Sequence, residues 1–125
     1  MPKQRFSINK RIKSFKYAFQ GIFTLFRNEH NSWIHAFIAI AVIAASFLFN
    51  ISTFEWIAVI FAIGFVFTAE LINSSIEKTI DLITKDINPL AKQAKDLAAG
   101  AVLVAAITAA IIGVLIFAPK LIALL

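Results

Sequence analysis

The sequence predicts an all-α membrane protein: a bundle of three transmembrane helices preceded by an amphipathic helix on the membrane surface, in a single domain over 1–125. Three observations carry that prediction. Hydrophobic residues make up 60% of the 125 and charged residues only 15%, against about 45–50% and about 25% in ordinary soluble domains. The mean hydropathy of +0.84 argues against a soluble globular chain. Finally, no charged residue occurs from Ser32 to Phe54, from Trp56 to Ala69, or from Leu97 to Pro119. A bilayer core asks for about 20 mostly apolar residues per helix.

The first element covers 5–27. Ile8, Ile12, Phe15, Phe19, Ile22, Phe23 and Phe26 recur at helical spacing, within an arc of about 100° at 3.6 residues per turn. Lys10, Lys13, Lys16 and Arg27 lie off that arc. A basic helix with an aromatic stripe reads as lying in the membrane interface; packing of the stripe against the spanning helices is the other reading, and both leave it parallel to the surface. The basic start resembles a signal peptide. The segment before the apolar run is too long for one, however, and no small-residue cleavage site follows a short apolar core.

Arg27-Asn-Glu-His-Asn31 interrupts the pattern before a first span at 32–49. Asn50-Ile-Ser-Thr53 is a tight turn. The second span, 54–81, needs Glu55 at one interface and Glu70 inside or near the other. Its last two turns then project beyond the bilayer or line an opening at its surface. A loop is expected over 82–96, because Pro89 biases Asn88 away from helix. Within it, Leu90 to Lys95 begins the helix that becomes the third span, 97–118. Ala98, Ala99, Gly100, Ala101, Ala105 and Ala106 suit close helix contact in lipid.

Charge sets the expected orientation. Of the 12 Lys and Arg, Lys3, Arg5, Lys10, Arg11, Lys13, Lys16 and Arg27 precede the first span, and Lys78, Lys85, Lys92 and Lys95 lie between the second and third. The first connection has none, and only Lys120 is near the C-terminus. The positive-inside rule puts the N-terminus and the second connection in the cytoplasm and the C-terminus outside. The net charge of +5 is then a topology signal and an attraction to anionic lipid. Nucleic acid is not an expected partner, because the basic residues are not interleaved with a soluble platform. With no cysteine, disulfides and thiolate metal sites are excluded. Neither a P-loop motif nor a Gly-rich dinucleotide or protein-kinase motif occurs.

The stretch "ELINSSIEKTID", 70–81, carries the chemistry. On a helix Glu70, Asn73, Glu77 and Asp81 share one face, within an arc of about 80°. Ser74 lies at its margin, and Leu71, Ile72, Ile76 and Ile80 face elsewhere. Acids at the edge of hydrocarbon are costly, and such residues are functional by default. The bland alternative pairs an acid with a Lys to hold helices together, and Glu77 with Asp81 also reads as a solvated helix end. Glu70 and Glu77 stand about 10–11 Å apart along the axis, too far to ligate one ion together. Glu77, nearer water, suits a hard cation, and deeper Glu70 suits proton acceptance from something arriving through the lipid. Glu29, just before the first span, should lie at the depth of Glu77, and carboxylates with phosphate oxygens make a typical Mg²⁺ site. Lys92, Lys95, Asp96, Lys10, Arg11 and Lys16 are available for phosphates. His30 and His35 are unpatterned, and His35 reads as a hydrogen-bonded core group rather than a metal ligand.

Four segments in order resemble the bacterial diacylglycerol kinase family, small integral-membrane lipid kinases: "YAFQGI", "NEHN", "ELINSSIEKTID" and "AKDLAAGAVL", across about residues 10–117. The resemblance implies a homotrimer with active sites shared between subunits, transferring the γ-phosphate of ATP with Mg²⁺ to a membrane lipid hydroxyl at the inner-membrane surface. By motif it implies Glu70 as general base and Glu29 and Glu77 as holders of Mg²⁺. Lys95, Asp96 and Tyr17 would contact nucleotide, with Lys10 or Arg11 as the preceding basic residue, and Asn73 and Asp81 would support the site. The family divides between diacylglycerol and undecaprenol kinases. "IEKTIDLITKDINPLAKQAKD" and the His two residues after Trp33 look more like the undecaprenol branch. Two non-enzymatic readings stand beside these: a transporter subunit using Glu70 for proton or cation transfer, and a structural membrane adaptor.

Overall fold

The computed structural model describes residues 2–125; Met1 lies outside the described residues. The chain forms α1 (Ile8–Asn28), α2 (His30–Leu48), α3 (Thr53–Ile83) and α4 (Pro89–Ala123). The all-α expectation holds, and α2, α3 and α4 are each long and apolar enough to cross a membrane.

Helix α1 starts where the Ser7 hydroxyl accepts from the Lys10 N–H, an N-cap that satisfies one of the free donors of the first turn. Leu25 is its one buried residue. Ile8, Ile12, Phe15, Phe19 and Phe23 all remain open. Packing therefore accounts only for the C-terminal end of the stripe; the rest is left bare, as an interfacial helix requires. At that end the Trp33 indole N–H donates to the Phe26 carbonyl at 2.7 Å. The two rings meet edge-on with centroids 5.3 Å apart, and Phe26 reaches Phe67 of α3 at 5.9 Å.

A single residue separates α1 from α2. Glu29, with extended backbone (φ −115°, ψ 109°), is the C-cap of one and the N-cap of the next. The turn from α2 to α3 uses Asn50 in the left-handed region (φ 49°), which Asn tolerates better than most residues. Ser52 and Glu55 then close a capping box. Nearby, Ile51, Val59 and Ile116 form a small buried core with Val42, Phe49 and Phe117 around it. At the same end the Lys120 ammonium donates to Glu55 Oε2 at 2.6 Å and to the Ile116 carbonyl at 3.2 Å. This ties the start of α3 to the end of α4, whose mutual packing is the most extensive in the chain.

Two boundaries differ from expectation. The connection expected over 82–96 shrinks to residues 84–88. Asn88 caps α4 by accepting from the Leu90 and Ala91 N–H groups at 2.9 and 3.1 Å, and Pro89 occupies the first turn, where its missing N–H costs nothing. Lys92, Lys95 and Asp96 thus stand on regular helix. At the other end α4 continues through Pro119 to Ala123, beyond the expected stop at 118; proline is tolerated in membrane helices where other groups meet the freed carbonyl.

Candidate active site

The polar face of α3 grades from deep to shallow. Glu70 is 4% and Ser74 7% exposed. Asn73 and Glu77 are half-buried, and Asp81 is open. Helical spacing alone produces this order, because each step along the stripe is also a step toward the end of the span.

Glu70 meets α2. Its Oε1 lies 3.0 Å from Nε2 of His35. The approach is close without being aligned along the ring N–H, so Oε1 stays buried without a hydrogen bond. Ser32 Oγ and Asn73 Oδ1 are likewise buried and unpartnered among the described residues. Since α2 and α3 run antiparallel, the 35–70 contact brings Ser32, one turn earlier, level with Asn73, one turn later. Buried polar atoms are nearly always satisfied. The three unsatisfied atoms lie on facing turns of these two helices.

The other acids sort themselves by partner. Glu55 pairs with Lys120, Asp81 with Lys95 at 2.6 Å, and Asp96 with Lys92 at 2.5 Å. Of the seven acids, only Glu29, Glu77 and Asp86 lack a basic partner among the described residues. Glu29 makes no side-chain cap either, although it occupies an N-cap position. Its carboxylate is left uncommitted at the elbow. No group of three or more His, Cys, Asp and Glu gathers among the described residues. Glu29 and Glu77 supply hard oxygen ligands, which fit Mg²⁺ when phosphate oxygens and water complete the shell.

Lys95 and Asp96 border a cleft of about 760 Å³ at the α3–α4 connection, with Asp81, Lys85 and Lys92 around it. Lys95 is held there by Asp81, so these two sequence-predicted residues are brought together. Lys10, Arg11 and Tyr17 are exposed on α1, and the Arg11 guanidinium lies 5.5 Å from the Phe6 ring centroid. No ion pair or hydrogen bond joins them to the acids of α3 among the described residues. Sequence reasoning missed the contact of His35 with Glu70 and the burial of Ser32. The available signal was the tight turn at 49–52: counting outward from it along two antiparallel helices brings 35 and 70 to within about one helical turn of each other in depth.

The model of the family described as prokaryotic diacylglycerol kinase matches residues 16–117. An undecaprenol kinase of Bacillus subtilis (strain 168) is 49% identical over 117 residues, covering 94% of this chain and 95% of that protein. A diacylglycerol kinase of Synechocystis is 38% identical over 115 residues, covering 91% of this chain but 66% of that longer protein. One from Helicobacter pylori (strain 26695) is 36% identical over 107 residues, covering 79% and 83%. With a family match over most of its length and relatives this similar across nearly all of it, the chain belongs to the prokaryotic diacylglycerol kinase family of lipid kinases.

Proposed function

We propose that this protein phosphorylates the primary hydroxyl of a membrane lipid alcohol with ATP and Mg²⁺ at the cytoplasmic face of the inner membrane, with undecaprenol as the preferred substrate and diacylglycerol as the other candidate. The observation that carries the proposal is Glu70: a carboxylate only 4% exposed, on a membrane helix, with no Lys or Arg partner among the described residues. An acid held there for structure alone would carry a Lys or Arg partner, whereas Glu70 has only the His35 ring beside it. The choice of lipid rests on the name of the 49% identical relative.

Glu70 accepts the proton of the lipid hydroxyl as its oxygen attacks the γ-phosphorus in line. The new O–P bond forms, the bond from the γ-phosphorus to the bridging oxygen breaks, and ADP leaves with the electron pair. Glu29 and Glu77 would hold Mg²⁺ on the nucleotide phosphates; the ion neutralises charge developing on the transferred group. Lys95 directs its ammonium toward the nucleotide while Asp81 keeps that side chain extended, and Asp96, Tyr17 and Lys10 or Arg11 complete the nucleotide contacts. Asn73 orients groups beside Glu70. Preorganised charge and the confinement of both reactants at one surface supply most of the acceleration.

Shared sites in a homotrimer agree with the separation of Lys10, Arg11 and Tyr17 from the α3 acids within one chain, and with the bare apolar faces of the spanning helices. The distribution of Lys and Arg supports a cytoplasmic N-terminus and an external C-terminus. The test is phosphoryl transfer from labelled ATP in mixed micelles offering undecaprenol and diacylglycerol separately. Label in one lipid, reduced to a small residual rate by Glu70→Gln, is the expected result. No label in either, with pH-driven flux in vesicles instead, would move the assignment to transport.

A further inference from the structure

Glu70 belongs to α3, and its neighbour His35 belongs to α2. We infer that His35 is the positioning residue of the reaction: it engages Oε1 of Glu70 and so turns Oε2 toward the lipid hydroxyl. The inference rests on the proposed role of Glu70 and deepens it.

The geometry distinguishes the two oxygens. Oε1 is sealed and lies 3.0 Å from His35 Nε2. Oε2 is not among the sealed, unpartnered atoms, so it is the oxygen left for a substrate. No Lys or Arg pairs with the carboxylate among the described residues. A carboxylate at the end of a flexible side chain rotates freely about its last torsion. One close neighbour on one oxygen is sufficient to choose between its faces. The misaligned approach fits an empty site, because catalytic hydrogen bonds are often poorly aligned before substrate arrives.

The place of His35 supports the same role. Its side chain is 23% exposed against 5% for Glu70, and it lines an apolar cavity of about 250 Å³ between α2, α3 and α4. Ala39, Ala62, Val66, Ala106 and Gly113 wall that cavity. His35 is its polar member, at the boundary between the carboxylate and hydrocarbon. A group there can hold Glu70 through Oε1 and leave Oε2 to the lipid hydroxyl.

The experiment measures kcat and KM for wild type, His35→Ala, His35→Gln and Glu70→Gln, and for Glu70→Gln combined with His35→Ala, in micelles with saturating MgATP. His35→Ala should lower kcat roughly 10- to 100-fold, the loss expected when a reacting group is misplaced by about 1 Å, with KM for lipid and ATP nearly unchanged. His35→Gln, which retains a neutral N–H donor at similar reach, should recover most of that loss. In the Glu70→Gln background, removing His35 should cost nothing further, since coupled residues are not additive. Wild-type kcat in His35→Ala, or an equal loss with and without Glu70, would overturn the inference while leaving Glu70 as base. Full activity in Glu70→Gln would overturn the reading of Glu70 itself. A merely structural His35 would lower the thermal midpoint and would not be rescued through kcat by Gln.

Discussion

Lys95 Nζ lies 2.6 Å from Asp81 Oδ1, joining α4 to α3 across the short connection at 84–88. Both side chains are about half exposed, and pairs in such surroundings contribute little to stability. The pair holds an ammonium at the rim of a cleft lined by three lysines and three aspartates. Asp81→Asn should leave the thermal midpoint nearly unchanged and raise the KM for ATP severalfold. Lys95→Ala should raise it more, and steady-state kinetics on both variants separates the two effects.

Glu29 and Glu77 are expected to show themselves through the metal. Each lacks a basic partner among the described residues, so neutralising either removes an oxygen ligand without orphaning a cation. Glu29→Gln and Glu77→Gln should each raise the Mg²⁺ concentration for half-maximal activity by roughly tenfold or more, with the KM for lipid little altered. A magnesium titration of each purified variant is the check.

Mixing subunits tests whether the sites are shared. If Glu29 and Glu70 of one site come from neighbouring copies, co-expressed Glu29→Gln and Glu70→Gln chains should regain activity well above either alone, because some assembled sites carry no lesion. Activity no higher than the mean of the two variants would show that each site is built within one chain.

At the far end of the bundle, stability and catalysis should separate. Ser52→Ala removes the hydroxyl that accepts from the Glu55 N–H and leaves the bond from the Ser52 N–H to the Glu55 carboxylate in place. A loss of about 1 kcal/mol in unfolding free energy is expected, with kcat unaltered. Thermal or denaturant unfolding in detergent, run beside the kinase assay, reads both quantities.

The Trp33 indole is the fastening between the surface helix and the membrane bundle. Trp33→Phe keeps the ring and deletes a hydrogen bond of about 1 kcal/mol. Trypsin should then cleave faster at Arg27, which limited proteolysis followed by mass spectrometry would record.

Much of this was legible in the residues, and what escaped did so for definite reasons. Apolar runs and the period of the stripe from Ile8 to Phe26 are local signals, so the helices followed from them. The depth order of Glu70, Glu77 and Asp81 followed too, since spacing on one helix is also local. The start of α4 was legible to within one residue: the helix expected from Leu90 begins at Pro89, where Asn88-Pro89 is a cap followed by a first-turn proline. His35 was harder. A lone histidine in an apolar run has no periodic partner, and its neighbour is 35 residues away in the chain, set by how α2 packs on α3. The pairing of acids with lysines is likewise tertiary, and only the folded chain distinguishes committed carboxylates from Glu29 and Glu77.

The one-residue junction at Glu29 makes the surface helix a lever. A residue has only two soft torsions, so α1 tilts against α2 by turning φ or ψ of Glu29; ψ swings its Cα–Cβ bond against α2, and φ swings it against α1. The carboxylate stands at the fulcrum. Through ψ of Glu29, where the apolar underside of α1 settles in the interface is coupled to the direction of that carboxylate, the proposed holder of Mg²⁺.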